Sequence, residues 1–290
     1  MTVSPVRKAV FPVAGLGTRM LPATKVLPKE MLPVVDKPII QYALEEARAA
    51  GIEQFIFVTG RGKTLIEDHF DRAVELFDSL AAKGKSEALA ELEAAIPKAG
   101  AVTYTRQQEP LGLGHAVWCA RHLVGDEPFA VSLVDDLILG DVPCLKELAD
   151  AHAQTGGNVV ATMEVSPEHT KRYGIIDPGT IDGRLVEAKA MVEKPEPDRA
   201  PSRYAVIGRY VLLPEIFAHL ERQEPGAGGE IQLTDAMAKM LGVRPFHGYV
   251  FSGERHDCGD KLGYLEAIVA AALRRPDLAD GFASILKRYG

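Results

Sequence analysis

The chain has 290 residues, of which 47% are hydrophobic and 25% charged, proportions typical of a globular protein that can bury a sizeable core. Its formal net charge is −7 at pH 7, from 33 basic and 40 acidic residues. That balance argues against a nucleic-acid-binding protein, which needs a basic surface, although a local cluster of cations in a cleft is enough to bind a nucleotide.

The cysteines and the apolar runs indicate the cellular compartment in which the protein is expected. Cys119, Cys144 and Cys258 lie far apart without CxxC spacing, which is typical of free thiols in a reducing compartment. No apolar run approaches the ~20 residues of a membrane-spanning helix. The apolar stretch near the N-terminus is short and broken by Pro12, so it does not match a signal peptide. We therefore expect a cytoplasmic protein that does not bind membranes.

The first sixty residues predict a strand, a glycine-rich turn, a helix and a second strand. Residues 8–14 (KAVFPVA) indicate a buried strand that ends at Gly15-Leu16-Gly17. Helical spacing continues over residues 38–50 until Gly51, and residues 54–58 (QFIFV) indicate the next strand. This order of elements favours a parallel sheet with crossover helices.

The rest of the chain continues this alternation. Between residues 65 and 96, apolar residues at helical intervals predict two helices with a break near Gly84. The other predicted elements are strands at 102–105, 129–134, 159–165 and 204–213, helices at 116–123 and 262–273, and an amphipathic C-terminal tail. We expect an α/β three-layer sandwich with a mostly parallel, Rossmann-like central sheet. It should form one domain over residues 1–290, with a helical insertion near 65–97 and a helical tail near 262–290.

Two glycine-containing segments are close to phosphate-binding motifs but match neither. In residues 14–19 (AGLGTR), directly after the first strand, glycines can turn backbone N–H groups toward phosphate oxygens. A dinucleotide-binding fingerprint needs a glycine where Met20 stands, and Asp36 lies in a proline-bounded loop instead of ending a strand. Residues 62–64 (GKT) lack the first glycine of a P-loop, because Phe57 occupies that position. We interpret 62–64 as a turn that opens a helix.

A proline-rich loop with three cations follows the glycine turn. The cations are Arg19, Lys25 and Lys29, and the prolines are Pro22, Pro28 and Pro33. Cations on a stiff loop suit a triphosphate, because they neutralise charge that builds up in phosphoryl transfer. A solvated basic loop is the alternative, since most surface cations are exposed and contribute little.

Asp135 follows the predicted strand 129–134, at the edge where open α/β sheets bind their ligands. A carboxylate there is either a helix N-cap or a Mg²⁺ ligand, and spacing alone leaves both open. The eight histidines show no zinc-ligand spacing: neither His115 nor His256 has a second His or Cys at helical distance.

Taken together and in chain order, several segments resemble the signature of the sugar-1-phosphate nucleotidyltransferases. They are 15–22 (GLGTRMLP), 29–33 (KEMLP), 107–116 (QQEPLGLGHA), 192–195 (VEKP), 229–235 (GEIQLTD) and 257–261 (DCGDK). Residues 23–25 (ATK) followed by 28–33 (PKEMLP) are similar to the bacterial UTP–glucose-1-phosphate uridylyltransferase family. The resemblance covers nearly the whole chain.

The resemblance implies uridylyl transfer from UTP to glucose 1-phosphate, with Mg²⁺ as cofactor, and a homo-oligomer with the nucleotide-diphospho-sugar transferase fold. One alternative is a thymidylyltransferase acting on the same sugar phosphate, although segments 111–115 and 229–232 favour uridylyl transfer. The other is a non-catalytic subunit that binds sugar nucleotides. The joint presence of five charged residues argues against it: Arg19, Lys29, Asp135, Lys194 and Asp257.

The resemblance also implies roles for single residues. The catalytic cations would be Arg19 and Lys29, and the metal ligands Asp135 and Asp257. The nucleotide-binding residues would be Ala14, Gly15, Gly17, Thr18, Gln107 and Gly112, and the sugar-phosphate-binding residues Gly174, Glu193 and Lys194. The amide of Gln107 offers a donor and an acceptor to the uracil imide. For Glu193 and Lys194, an exposed ion pair on a turn is the alternative.

Overall fold

A nine-stranded sheet lies at the centre of the computed structural model, which describes residues 3–289. In chain order the strands are β1 (Lys8–Val13), β2 (Pro33–Val34), β3 (Lys37–Pro38), β4 (Gln54–Thr59), β5 (Val102–Arg106), β6 (Phe129–Ser132), β7 (Asp136–Leu139), β8 (Asn158–Glu164), β9 (Gly174–Asp182), β10 (Leu185–Glu193), β11 (Tyr204–Leu212), β12 (Phe246–Val250) and β13 (Glu254–Asp257). The helices are α1 (Ile39–Ala49), α2 (Thr64–Phe70), α3 (Val74–Ala82), α4 (Ser86–Ala95), α5 (Leu113–Cys119), α6 (Arg121–Val124), α7 (Cys144–Thr155), α8 (Ile216–Leu220), α9 (Leu233–Ala238), α10 (Lys261–Arg274) and α11 (Ala279–Leu286).

The sheet is mixed, with the order β5-β4-β1-β6-β11-β8-β12-β10-β9. Strands β5, β4, β1 and β6 are mutually parallel, whereas β11 is antiparallel to β6 and β8, and β10 is antiparallel to β12 and β9. The prediction of a mostly parallel, Rossmann-like sheet is therefore wrong for the sheet as a whole. Crossover helices make the first half parallel, but β9 and β10 are joined by two residues, a length that permits only an antiparallel hairpin.

Helices cover both faces of the sheet. Adjacent residues of β1 point to opposite faces, because side chains alternate along a strand. Phe11 belongs to the hydrophobic cluster that contains Leu44 of α1 and Leu148 of α7. Val10 belongs to the second cluster, which contains Val117 of α5 and Leu233 of α9. The chain thus has the α/β fold expected from its sequence.

The helical segments differ from the prediction in number. The segment 65–96 holds three helices, α2, α3 and α4, where two were expected. The break near Gly84 is confirmed, and an additional break occurs because Asp71 leaves the helical conformation, with φ −87° and ψ 161°. The predicted helix 116–123 is divided between α5 and α6 at Ala120. The single domain and the insertion stay predictions. Within residues 3–289, no helix is long and apolar enough to cross a membrane.

A buried ion pair connects the sheet to α1. Arg209 of β11, which is 1% exposed, donates from Nη2 to Oε2 of Glu46 at 2.7 Å. Its Nη1 donates to the carbonyl oxygens of Leu133 at 2.8 Å and Gly208 at 3.0 Å. Glu46 also accepts from the backbone N–H of Leu145 at 3.1 Å, in the first turn of α7. The pair therefore joins α1, α7, β11 and the turn after β6.

We expect Arg209→Met to lower the free energy of unfolding by about 3–5 kcal/mol, because it leaves the Glu46 carboxylate buried without its partner. The matched control is Arg203→Met, which removes an exposed partner of Glu164 and should cost at most about 1 kcal/mol. Urea unfolding measures both. Equal decreases in the free energy of unfolding of the two variants would contradict a stabilising role for the buried ion pair.

Candidate active site

A cleft of about 320 Å³ lies beside β11 and the loops that follow β6, β10 and β13. Its walls include six of the residues predicted from the sequence: Arg19, Asp135, Gly174, Glu193, Lys194 and Asp257. A smaller cavity of about 110 Å³ shares Arg19 and is also lined by the predicted residues Gly17, Thr18 and Lys29. The structure thus brings most of the predicted site residues together. Four are not among the residues lining these two cavities: Ala14, Gly15, Gln107 and Gly112.

Lys29 and Asp135 form an ion pair between the two cavities, with Nζ 2.6 Å from Oδ2. Burial by itself lowers the pKa of Lys29, but the carboxylates of Asp135 and Glu30 outweigh it and hold that pKa above its usual value. Burial raises the pKa of Asp135, and the neighbouring Lys29 more than reverses this effect. Both groups are therefore charged at neutral pH. Gly15 borders the pair, since a Cβ at this position would lie 3.9 Å from Lys29 Cε.

A second ion pair supports the loop that carries Lys29. Lys63 Nζ lies 2.7 Å from Oε2 of Glu30, and the residues are 6% and 2% exposed. Lys63 directly precedes α2, which confirms that residues 62–64 are a turn that opens a helix. Its partnership with Glu30 is not apparent from the sequence, because the residues lie 33 positions apart. The buried pair fixes the residue next to Lys29.

Asp135 and Asp257 face a small space beside Gly259. A Cβ at position 259 would lie 2.9 Å from Asp135 Oδ2, 3.2 Å from Asp257 Oδ1 and 2.7 Å from Arg19 Nη2. Asp257 Oδ1 accepts from the backbone N–H of Gly259 at 3.1 Å, and Oδ2 lies 3.3 Å from Arg172 Nη2. Mg²⁺ takes one or two carboxylates together with phosphate oxygens and water, so these residues fit a magnesium ion. The N-cap alternative for Asp135 is wrong, because strand β7 follows it.

Asp136 is held by other groups of the protein. Arg255 Nε donates to its Oδ1 at 2.8 Å, and the backbone N–H of Gly208 donates to its Oδ2 at 3.0 Å. Arg255 also donates from Nη1 to the hydroxyl of Tyr173 at 2.9 Å. These residues form the cleft wall between β7, β11 and β13. The sequence alone does not indicate a site role for Arg255 or Tyr173, although Tyr173 adjoins Gly174.

Lys194 lies on a turn directly after β10. Its φ of 47° is in the left-handed region, which residues other than glycine rarely adopt. Its Nζ lies 3.0 Å from Oε1 of Glu193, and the two side chains are 45% and 10% exposed. Glu193 Oε2 would be 3.3 Å from a Cβ at position 174, so Gly174 permits this close approach. The alternative of an exposed ion pair therefore describes Lys194 but not Glu193, whose side chain is only 10% exposed.

The amide of Gln107 has a fixed orientation. Its Nε2 lies 3.0 Å from both the carbonyl oxygen of Gly112 and Nδ1 of His115. A carbonyl oxygen accepts only, so nitrogen must face Gly112, and His115 must present an unprotonated Nδ1. Burial lowers the pKa of His115, which favours this neutral ring. Both N–H groups of the amide are thus used within the protein, and Oε1 is left to accept.

The loop after Gln107 is joined to the segment 229–235. The backbone N–H of Gly114 donates to the carbonyl oxygen of Ile231, and the N–H of Ile231 donates to that of Leu111, both at 2.8 Å. Gly112 has a φ of 106°, and a Cβ there would lie 2.8 Å from Cβ of Glu230. The loop after Gln107 and the segment 229–235, which lie far apart in the sequence, therefore contact each other directly.

A cation-lined cleft with paired carboxylates at a sheet edge is an arrangement suited to phosphoryl chemistry. The family model described as nucleotidyl transferase matches residues 8–273, and the chain belongs to that family. The chain is 52% identical over 275 residues to a UTP–glucose-1-phosphate uridylyltransferase of Bacillus subtilis (strain 168), which covers 95% of this chain and 94% of that protein.

Two solved structures are similar over nearly their whole length. A UTP-bound UGPase from Acinetobacter baumannii has a TM-score of 0.90 at 40% identity, covering 97% of this chain and 98% of that one. A UDP-glucose pyrophosphorylase complexed with UDP-glucose has a TM-score of 0.85 at 43% identity, covering 93% and 100%.

We expect Gly259→Ala to lower the nucleotidyl-transfer rate by roughly 10²-fold while the melting temperature changes little. The added methyl group would displace Arg19 and the two carboxylates from the space that they share. Gly281→Ala is the matched control, because its Cβ would meet no atom within 4 Å. Pyrophosphate release and thermal unfolding measure the two effects. Full activity of Gly259→Ala would mean that this space is not used in the reaction.

Proposed function

We propose that the chain transfers the uridylyl group of UTP to α-D-glucose 1-phosphate, giving UDP-glucose and pyrophosphate. The Bacillus subtilis relative carries this activity in its name, and the two similar structures hold UTP and UDP-glucose. The observation that carries the proposal within this chain is one cleft with cations on opposing loops. Arg19 comes from the loop after β1, and Lys194 from the turn after β10.

In the proposed reaction, a phosphate oxygen of glucose 1-phosphate attacks the α-phosphorus of UTP in line with the departing pyrophosphate. A bond forms between that oxygen and the α-phosphorus, while the bond from the α-phosphorus to the bridging oxygen breaks. The attacking phosphate is already anionic at neutral pH, so no general base is needed. Arg19 and Lys29 stabilise charge on the triphosphate, and Lys194 holds the sugar phosphate. Glu193 and the Gly174 backbone hold the sugar hydroxyls.

We assign Asp135 and Asp257 to a Mg²⁺ ion, because Asp135, in the turn before β7, and Asp257, at the end of β13, are carboxylates that both face the small space beside Gly259. The ion, when bound, would neutralise phosphate charge. Lys29 is the protein group beside this position, and its charge is retained in the buried setting by Asp135. Arg172 and Arg255 lie 3.3 and 3.6 Å from Asp257 Oδ2 and hold this carboxylate in place.

Base selection follows from the orientation of the Gln107 amide. We assign its free Oε1 to accept the N3–H of uracil, while the backbones of Ala14, Gly15 and Gly112 hold the nucleoside. Gly17 and Thr18 belong to the same nucleotide-binding loop. Cytosine presents an acceptor at N3, so an oxygen at this position would repel it. Thymine presents the same imide as uracil, and Oε1 alone does not separate these two bases.

We also propose that the protein acts in the cytoplasm as a homo-oligomer and as one nucleotidyltransferase domain. The two C-terminal helices support the oligomer, because they leave large apolar side chains exposed: Leu262, Leu265, Leu273, Ile285 and Leu286. An apolar patch on the surface is typical of a protein–protein contact, and we propose that these side chains form one.

The first test crosses UTP, dTTP, CTP, ATP and GTP with several sugar 1-phosphates and follows pyrophosphate release in the presence of Mg²⁺. We expect UTP with glucose 1-phosphate to give the highest kcat/KM. A preference for dTTP would identify a thymidylyltransferase, and no turnover with any pair would indicate a non-catalytic binding protein. Excess EDTA should abolish the reaction, and activity that survives it would contradict the magnesium assignment.

The same assay tests the sugar site through Lys194→Ala. We expect KM for glucose 1-phosphate to rise roughly tenfold or more and KM for UTP to stay nearly constant, because the variant loses a charged contact to one substrate only. Lys189→Ala is the matched control, because Lys189 is an exposed lysine of strand β10, which ends just before Lys194, and it does not line the cleft. Equal losses toward both substrates would show that the sugar site is misplaced.

The role of His115 in base selection is tested by His115→Phe. The aromatic replacement keeps a ring next to Trp118, which His115 stacks on at a centroid distance of 5.8 Å, but it removes the acceptor that fixes the Gln107 amide. We expect the UTP-to-CTP ratio of kcat/KM to fall by roughly tenfold, the value of about one hydrogen bond. His122→Phe, an exposed histidine of α6, is the control. An unchanged ratio would mean that Gln107 needs no support from His115.

A further inference from the structure

A separate group of metal-ligating side chains lies on the other face of β13 from the cleft. Side chains alternate along a strand, so Glu254 and His256 point away from the face that presents Asp257. Glu266 of α10 lies opposite them. One carboxylate oxygen of each glutamate and one imidazole nitrogen of His256 all lie within 4.8 Å of one another.

The imidazole of His256 has no hydrogen-bond partner among the described residues. The residue is 1% exposed, and both Nδ1 and Nε2 are buried. Glu254 Oε2 lies 3.9 Å from Nε2, which is too long for a hydrogen bond. Buried polar groups are almost always paired, and burying one without a partner costs about 1–3 kcal/mol. The ring therefore lacks a partner on the side where the glutamates lie.

We propose that Glu254, His256 and Glu266 bind a divalent transition-metal ion of the Zn²⁺ type. One imidazole and two carboxylates form a donor set that suits Zn²⁺, whereas Mg²⁺ prefers oxygen ligands alone. Ligand atoms around such an ion stand roughly 3–4 Å apart, given metal–ligand distances of about 2.0–2.2 Å. The ligand atoms now lie within 4.8 Å of one another, and both glutamates are exposed, so their side chains can move the remaining distance toward an ion. The Arg274 guanidinium, 3.6 Å from Glu254, would have to release this carboxylate.

The proposed ion would join β13 to α10. These two elements flank residues 258–260, the turn that contains Gly259 and follows Asp257. Binding of the ion would therefore restrict the motion of this turn from the side opposite the cleft, without contact to a substrate. The site is independent of the proposed uridylyl transfer, and its first effect would be on stability.

Zn²⁺ titration by calorimetry and thermal unfolding tests the proposal, with the full-length protein in saturating Mg²⁺ and a thiol-free reductant. We expect one Zn²⁺ site per chain and a higher melting temperature when it is filled. Glu266→Gln should remove both, and because this residue is exposed on α10 the variant should fold normally. Asp280→Asn, an exposed carboxylate of α11, is the matched control.

Two further variants distinguish Zn²⁺ binding at the proposed site from Zn²⁺ binding in the cleft. His256→Gln should also abolish binding, and Co²⁺ in place of Zn²⁺ should give a visible absorption band that this variant loses. Asp135→Asn should keep the Zn²⁺ site, which distinguishes it from binding in the cleft. Absence of Zn²⁺ binding in the unaltered protein would overturn the proposal. So would a stoichiometry and melting response in Glu266→Gln equal to those of the unaltered protein.

Discussion

The ion pair between Arg209 and Glu46 determines where the carboxylates of the cleft can lie. Arg209 holds the carbonyl oxygen of Leu133, two residues before Asp135, while the neighbouring backbone N–H of Gly208 holds Asp136. A buried guanidinium tolerates removal from water only where its donors are paired, so the surrounding backbone has little freedom to move. The edge of the sheet beside the cleft is therefore positioned from inside the sheet, by a residue that lines neither cavity.

The cleft keeps its cations in place with its own carboxylates. Lys29 is paired with Asp135, and Lys194 with Glu193. By contrast, Arg19 forms no ion pair with any residue that the structure describes. Phosphate groups entering the cleft would meet lysine side chains that ion pairs already hold, which reduces the entropy lost on binding. In this arrangement, negatively charged carboxylates would hold the lysines in place before a negatively charged substrate binds.

The sequence predicts the N-terminal half of the fold better than the rest, for a physical reason. Buried parallel strands such as β1, β4 and β6 are continuous apolar runs, whereas β9 and β10 carry many exposed polar residues and were not predicted. The cleft residues were found by resemblance to a family. Local patterns do not show that Lys63 and Arg209 are buried, because their partners are distant in the chain. They also do not show that the donors of Gln107 are already used.

The left-handed backbone of Lys194 has a consequence for the evolution of the chain. A lysine in this conformation costs about 1–3 kcal/mol that a glycine would not, so the residue best for folding differs from the residue proposed to hold a phosphate. Selection for heat resistance alone would favour glycine there and erode the affinity for the sugar phosphate. Among natural or engineered variants, a cation retained at this position would indicate selection for catalytic turnover, and a glycine there would indicate selection for stability alone.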